Sequence, residues 1–78
     1  MKNIFENTYV GKPYKTRDGS KAIYLGKYLK YDSIYVYILI LEHRPFPEGW
    51  NQFGRYENTG IYYQNERLPE DIVSEWQE

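Results

Sequence analysis

The chain carries one histidine, His43, and no cysteine. A two-histidine metal site, a thiolate ligand and a thiol nucleophile are therefore excluded within a single copy. Carboxylates are plentiful, eleven Asp and Glu in all, but no Asp-x-Asp-x-Asp-Gly spacing gathers them around a hard cation. Ser20, Ser33 and Ser74 fall at expected turns or inside a terminal element, and none neighbours His43, which sits beside Arg44 and Pro45 and reads as a strand-end residue. Gly-x-Gly-x-x-Gly, phosphate-loop, Gly-x-Ser-x-Gly and His-Glu-x-x-His motifs are all missing. No catalytic residue, metal or cofactor is expected.

Aromatic and basic residues offer a different chemistry. Ten Tyr, three Phe and two Trp make up 19 % of the chain. Phe46 and Trp50 lie in the segment His43-Arg44-Pro45-Phe46-Pro47-Glu48-Gly49-Trp50-Asn51-Gln52. Two prolines and a glycine make that segment read as a rigid loop rather than a strand, and such a loop presents aromatics at low entropic cost. Phe46, Trp50, Tyr35 and Tyr37 are accordingly the candidates for contact with a protein partner; the competing expectation is that Trp50 plugs the end of the fold. A second candidate surface comprises Lys15, Arg17, Tyr24, Tyr28, Tyr35 and Tyr37. Rings on a sheet flanked by cations stack on bases and neutralise phosphates, the chemistry of single-stranded nucleic acid or nucleotide binding. A sequence pI of about 5.8 argues against general nucleic-acid affinity.

These surfaces exist only if strands position them. Lys15 to Leu25 is the strongest local signal, two alternating segments around Asp18-Gly19. A two-residue turn there pairs Lys15 with Ala22 and Tyr14 with Ile23. Ser33 to Glu42 alternates Ile34, Val36, Ile38 and Ile40 with Tyr35, Tyr37, Leu39 and Leu41. It is apolar on both faces and reads as a central strand, the β-branched face inward and the Tyr face half wet. A four-residue loop, Lys30 to Ser33, pairs Leu29 with Ile34, Leu25 with Ile38 and Ile23 with Ile40, and sets Gly26 opposite Tyr37. Phe53–Glu57 and Ile61–Glu66 read as a second hairpin around Asn58-Thr59-Gly60. Over 69–77, Pro69, Glu70 and Asp71 suit a helix start, and Ile72, Val73 and Trp76 share one helical face. A short closing strand is the alternative. Residues 1–10 show no period and read as an irregular tail or cover.

The expected fold is thus a single all-β domain over 1–78. It would be a small antiparallel curled sheet or SH3-like or OB-like barrel of about five strands, with the sheet over 12–66 and a short C-terminal helix. Ile, Leu, Val and Phe supply 18 of 78 residues, just above the level of about 20 % at which a core becomes feasible. The longest apolar run, Ile34 to Leu41, is eight residues, far short of the roughly 20 of a membrane helix. The first residues lack the apolar stretch of a signal peptide, and the absence of cysteine suits a reducing compartment, so a cytoplasmic protein is expected. The net charge of −1 hides an asymmetry. Residues 1–30 hold seven Lys/Arg against Glu6 and Asp18, whereas residues 31–78 hold three against nine acids. Either this polarity steers a partner, or interleaved strands neutralise it.

Lys15-Thr16-Arg17-Asp18-Gly19-Ser20-Lys21-Ala22, then Phe53-Gly54-x-Tyr56, then Glu70-Asp71-Ile72-Val73, resembles a pattern in small uncharacterised proteins of phages and prophages with compact β-barrel or roll domains. The resemblance spans roughly 12–76 and its residues are turn and core positions. It implies an accessory protein of a mobile element that binds a protein, and assigns no activity. Self-association is left open, because Ser33–Glu42, apolar on both faces, is covered either by its own chain or by a second copy.

Overall fold

The computed structural model describes residues 3–57 and 67–77. Five strands, β1 (Pro13–Thr16), β2 (Lys21–Tyr31), β3 (Ile34–Leu41), β4 (Glu48–Trp50) and β5 (Ile72–Glu75), form one sheet in the order β4-β3-β2-β1-β5. All neighbours are antiparallel. The protein is all-β, as its alternation implies, and there is no helix among the described residues. The sheet does not close into a barrel among the described residues: β4 and β5 lie at its two ends, and residues 56 and 57 bond back to β4 through a Trp50–Tyr56 bridge and the Glu57 amide to the Gly49 carbonyl (2.8 Å). Between the two end strands, the Ile72 amide donates to the Gly54 carbonyl (2.8 Å) and the Trp50 indole to the Glu70 carbonyl (2.8 Å).

The first turn sets the phase of the whole sheet. It holds three residues rather than two: Thr16 N–H donates to the Ser20 carbonyl (2.9 Å) and Gly19 N–H to the Thr16 carbonyl (3.0 Å). Asp18 and Thr16 explain the choice. The Ser20 amide donates to Thr16 Oγ1 (2.9 Å) and Asp18 Oδ1 (3.1 Å), and the Thr16 hydroxyl donates to that same carboxylate oxygen. Gly19 takes the left-handed position (φ 91°) that follows such a loop. One extra loop residue moves β1 by one place, so Tyr14 faces Ala22 and Pro13 faces Ile23. A one-residue slip sends every side chain of a strand to the other face.

Asp18 also makes this turn pH-sensitive. Its bonds from Thr16 and Ser20 hold its carboxyl below the ordinary value. A carboxyl depressed by folding contributes stability above its unfolded pKa of about 4, and that contribution is lost as the pH falls through the lower folded value. In urea melts, Asp18→Asn should flatten the stability decline below about pH 4 while leaving the midpoint's pH dependence near neutrality unchanged. An undiminished acid slope in the variant would overturn this account.

β2 and β3 pair as expected at one end, with Ala22 opposite Leu41, Ile23 opposite Ile40 and Tyr24 opposite Leu39. A bulge then intervenes between Tyr24 and Gly26, where Gly26 takes a φ of 153°. Beyond it Gly26 faces Ile38, Lys27 faces Tyr37, Tyr28 faces Val36 and Leu29 faces Tyr35. A second shift precedes Tyr31, which faces Ile34 across a two-residue turn, Asp32-Ser33, with positive φ at both positions. The four-residue loop expected at Lys30–Ser33 is thus replaced by a tight primed turn that matches strand twist.

The core lies on the side opposite to that expected. Tyr14, Ala22, Tyr24, Tyr37, Leu39, Leu41, Trp50, Tyr56 and Ile72 are buried together. Ile23, Ile38 and Ile40 lie half-buried on the reverse, Ile34 is exposed, and Val36 is the one member of the isoleucine row to be buried, beside Gly49. Phe5 completes the core from the irregular segment before β1. Its ring stacks on Tyr37 (4.7 Å between centroids) and meets Tyr14 edge-on (5.2 Å). Buried phenols can occupy this interior because they find partners: Tyr14 donates to Thr8 Oγ1 and Tyr37 accepts from Asn3 Nδ2, both at 2.8 Å. Residues 3–10 are therefore an irregular cover rather than a frayed tail.

Two further expectations change. The 43–52 segment is not all loop, since Glu48–Trp50 adds to β3 as strand β4. The terminal segment is strand β5 paired with β1, not a helix. Its apparent helix-start residues build a turn, in which Asp71 N–H donates to the Leu68 carbonyl (3.1 Å) and Leu68 N–H to Asp71 Oδ2 (3.1 Å). The β-branched pair Ile72-Val73 then continues as strand. The hairpin expected around Asn58-Thr59-Gly60 lies, from residue 58 to residue 66, outside the described residues.

Charge is interleaved across the halves. Lys12 pairs with Glu75 (2.9 Å), Lys30 with Glu57 (3.1 Å) and Arg17 with Asp71 (3.4 Å). Each pair joins a basic residue of the first 30 to an acid of the remainder, so the sequence asymmetry is partly cancelled in space.

Candidate functional site

The inverted phase redistributes the candidate contact residues. Trp50 is fully buried and Tyr37 is 4 % exposed, so neither offers a surface. Phe46, at 73 % exposed, and Tyr35, at 36 %, remain accessible, but they flank opposite ends of β3 and do not form one patch. The basic and aromatic face is likewise not assembled. Tyr24 and Tyr37 are core residues, while Lys15 sits beside Lys21 on the reverse of the sheet and Arg17 reaches back to Asp71. Only Tyr28 and Tyr35 of that set are exposed rings. Burial also pushes the Tyr24 phenol above its ordinary pKa.

What the structure does bring together is the far end of the β2–β3 hairpin. β2 runs eleven residues and β1 only four, so β1 flanks β2 only as far as Tyr24. Tyr28, Leu29, Tyr31, Ile34 and Tyr35 are all exposed on this overhang. Tyr28 and Tyr31 share the side of Val36 and Ile34, and Leu29 shares the side of Tyr35. Lys27 lies over the Tyr35 ring, its ammonium 4.5 Å from the centroid. Singly scattered apolar residues need no explanation, but here both sides of one hairpin end are apolar, Tyr28, Tyr31 and Ile34 on one and Leu29 and Tyr35 on the other.

A cavity of about 360 Å³ lies between this hairpin end and the turn that follows β4. Tyr31, Ile34, Tyr35 and Phe53 supply apolar walls, and Lys30, Glu57, Asn51 and Gln52 the polar rim. Asn51 fixes the Phe53 side, its Oδ1 accepting from the amides of Phe53 (2.9 Å) and Arg55 (3.0 Å). The Lys30–Glu57 pair joins the two walls, and the Glu57 carboxylate raises the pKa of the Lys30 ammonium. Such a volume, with apolar walls and a few polar groups, is of the size that takes a side chain or a small ligand. Sequence reasoning identified Tyr28 and Tyr35 as surface residues but missed Leu29, Tyr31 and Ile34. The tight Asp32-Ser33 turn, which extends both strands, was the signal for them.

Chemistry is sparse elsewhere. His43 is exposed in the turn after β3. No group of three or more His, Cys, Asp or Glu able to hold a metal occurs among the described residues, nor does any helix there reach the length and apolarity needed to cross a membrane. No protein-family model matches the chain, and neither a curated protein nor a solved structure matches it.

Proposed function

We propose that this protein is a non-enzymatic binding module that holds a protein partner through the overhanging end of its β2–β3 hairpin. The observation carrying this reading is a hairpin end apolar on both sides, with Tyr28, Tyr31 and Ile34 on one and Leu29 and Tyr35 on the other, beside a cavity walled by Tyr31, Ile34, Tyr35 and Phe53. A partner's apolar or aromatic side chain enters the cavity as anchor, and the surrounding rings exclude water from it. The resemblance of the turn and core residues to phage and prophage proteins supports an accessory role for a mobile element in the host cytoplasm, acting by occluding a surface of a host protein.

The test is capture of partners from host cells by the immobilised protein, compared with Leu29→Glu and Tyr31→Glu. Both side chains are exposed, so the fold should be retained. A charge placed in a desolvated contact centre should weaken binding at least about 30-fold, the equivalent of a hot-spot loss. Val73→Glu, on β5, serves as the control. Unchanged capture by both hairpin variants sinks the proposal. Sedimentation of the protein alone tells whether the occupant is a second copy, and binding to an oligonucleotide that falls steeply with salt would replace the protein reading with a nucleic-acid one.

A further inference from the structure

From Gly26 to Tyr31, β2 has β3 on one side and, among the described residues, no strand on the other. In an antiparallel ladder, alternate residues turn their N–H and C=O to opposite neighbours. Tyr24 is the last of β2 to find partners on the β1 side: its N–H donates to the Lys12 carbonyl (3.0 Å) and its carbonyl accepts from Gly11 N–H (2.8 Å). The bond from Glu42 N–H to the Lys21 carbonyl (3.0 Å) sets the phase of β3, whose even-numbered residues turn toward β2. Tyr28, opposite Val36, therefore bonds inward. Lys27 and Leu29, opposite Tyr37 and Tyr35, turn their N–H and C=O to the open side. No described residue makes a main-chain bond to either of them there.

Among the described residues nothing blocks this edge. Lys27 and Leu29 are exposed, and a Cβ added to Gly26 would meet no atom within 4 Å. A strand glycine with open space beside it lets another backbone approach closely. No proline interrupts β2, and an unpaired edge rich in strand-forming residues is a template for a further strand. Its charge selects which strand. β2 carries Lys21, Lys27 and Lys30 and no acid. Lys30 is matched by Glu57 (3.1 Å), whereas the Lys27 ammonium lies over the Tyr35 and Tyr37 rings and pairs with no carboxylate of a described residue. A second copy would bring the same lysines to the seam, and like charges across strands are destabilising.

We propose that the partner adds an extended, acidic segment as a strand along this edge of β2. Its main chain bonds Lys27 and Leu29, and one of its carboxylates meets the Lys27 ammonium. The inference rests on the reading that the overhang holds a protein, and it names the mode of docking. Main-chain bonds supply the affinity, and alternate side chains the specificity. Every second side chain of the added strand lies on the side of Leu29 and the rest on the side of Tyr28, so apolar residues suit both.

Selection from a library of random peptides on the immobilised protein supplies the probes, each long enough for a strand of about six residues. Enriched peptides should carry Asp or Glu among apolar, strand-forming residues. At saturation with such a peptide, hydrogen exchange of the Lys27 and Leu29 amides should slow at least about tenfold, while the Tyr28 amide, already bonded to β3, changes little. Affinity should fall at least about tenfold for Lys27→Glu and for a synthetic chain N-methylated at the Leu29 amide, which loses one outward donor and keeps every side chain. Peptides that lose affinity to Leu29→Glu but bind the N-methylated chain undiminished, and leave both amides exchanging freely, overturn the added strand and spare the overhang as a protein-binding site. Peptides indifferent to Leu29→Glu overturn both readings. An absence of enrichment, enrichment of basic sequences, or a dimer in sedimentation that protects the same two amides would each overturn the proposal.

Discussion

Asp71→Ala should cost about 3 kcal/mol of stability, near the lower end of what removing one partner of a buried ion pair costs. Asp71 is 1 % exposed and gathers three donors and a further guanidinium from three parts of the chain. Oδ1 accepts from the Tyr56 amide (3.0 Å), and Oδ2 from the Leu68 amide (3.1 Å) and Arg17 Nη2 (3.4 Å), while Arg55 Nε forms an ion pair with Oδ2 at 3.4 Å. The two amides matter most. Each, left without an acceptor in a buried setting, costs about 1–3 kcal/mol, whereas Arg17 and Arg55 are exposed enough to return to water. A domain of this size has a total stability of only about 4–12 kcal/mol. The melting temperature should therefore drop by more than about 10 °C. Asp71→Asn is the sharper probe. One amide oxygen can serve the Tyr56 or the Leu68 N–H but not both, so roughly half of the loss should return. Thermal and urea melts giving Asp71→Ala within about 0.5 kcal/mol of the parent would show that the turn is held by other means.

The second large effect is expected at Phe5. Burying a phenylalanine ring and then deleting it typically costs about 3–5 kcal/mol. Phe5 is 3 % exposed and lies against Tyr14, Tyr24 and Tyr37. Its segment is anchored by few bonds, chiefly Ile4 N–H to the Gln52 carbonyl (3.0 Å) and Asn3 to the Tyr37 phenol. The cover can lift when the ring is gone, which relieves the void but wets three phenols. Phe5→Ala should accordingly fall near the lower bound, at about 3 kcal/mol, and should weaken the near-ultraviolet circular dichroism of the packed tyrosines. Preserved tyrosine dichroism together with a full loss of stability would mean that the void stays closed and that the cover does not lift.

The same residues show what could be seen in the sequence. Alternation in Lys15–Leu25 and Ser33–Glu42 was enough for the three-strand meander, and Ile23 opposite Ile40 was correctly paired. The faces were not legible, because a two-residue and a three-residue loop differ here only by hydrogen bonds among Thr16, Asp18 and Ser20. β-branched residues and tyrosines fit a pleated surface equally well, so a strand apolar on both faces gives no internal vote on which side is wet. β4 was hidden by Pro45 and Pro47, and β5 by acids that serve a turn as well as they would a helix start. Phe5 sits in an aperiodic segment with nothing to mark it as core. Of the candidate contact residues, Tyr37 went to the interior through this same phase error. Trp50 is buried because its segment is strand rather than loop, inside the fold as the competing expectation of a plug had it, and Phe46 and Tyr35 kept their exposure.

The neighbourhood of β1 and β5 has a consequence for how the molecule comes into being. Strands formed early and late in the chain must lie side by side, and the Arg17–Asp71 contact closes a separation of 54 residues. Loop closure on that scale precedes any reward from the contacts it makes. On the ribosome the β2–β3 hairpin can form as soon as it emerges. The sheet, however, waits for Glu75 to leave the exit tunnel, and until then the side of β1 that will receive β5 stays bare.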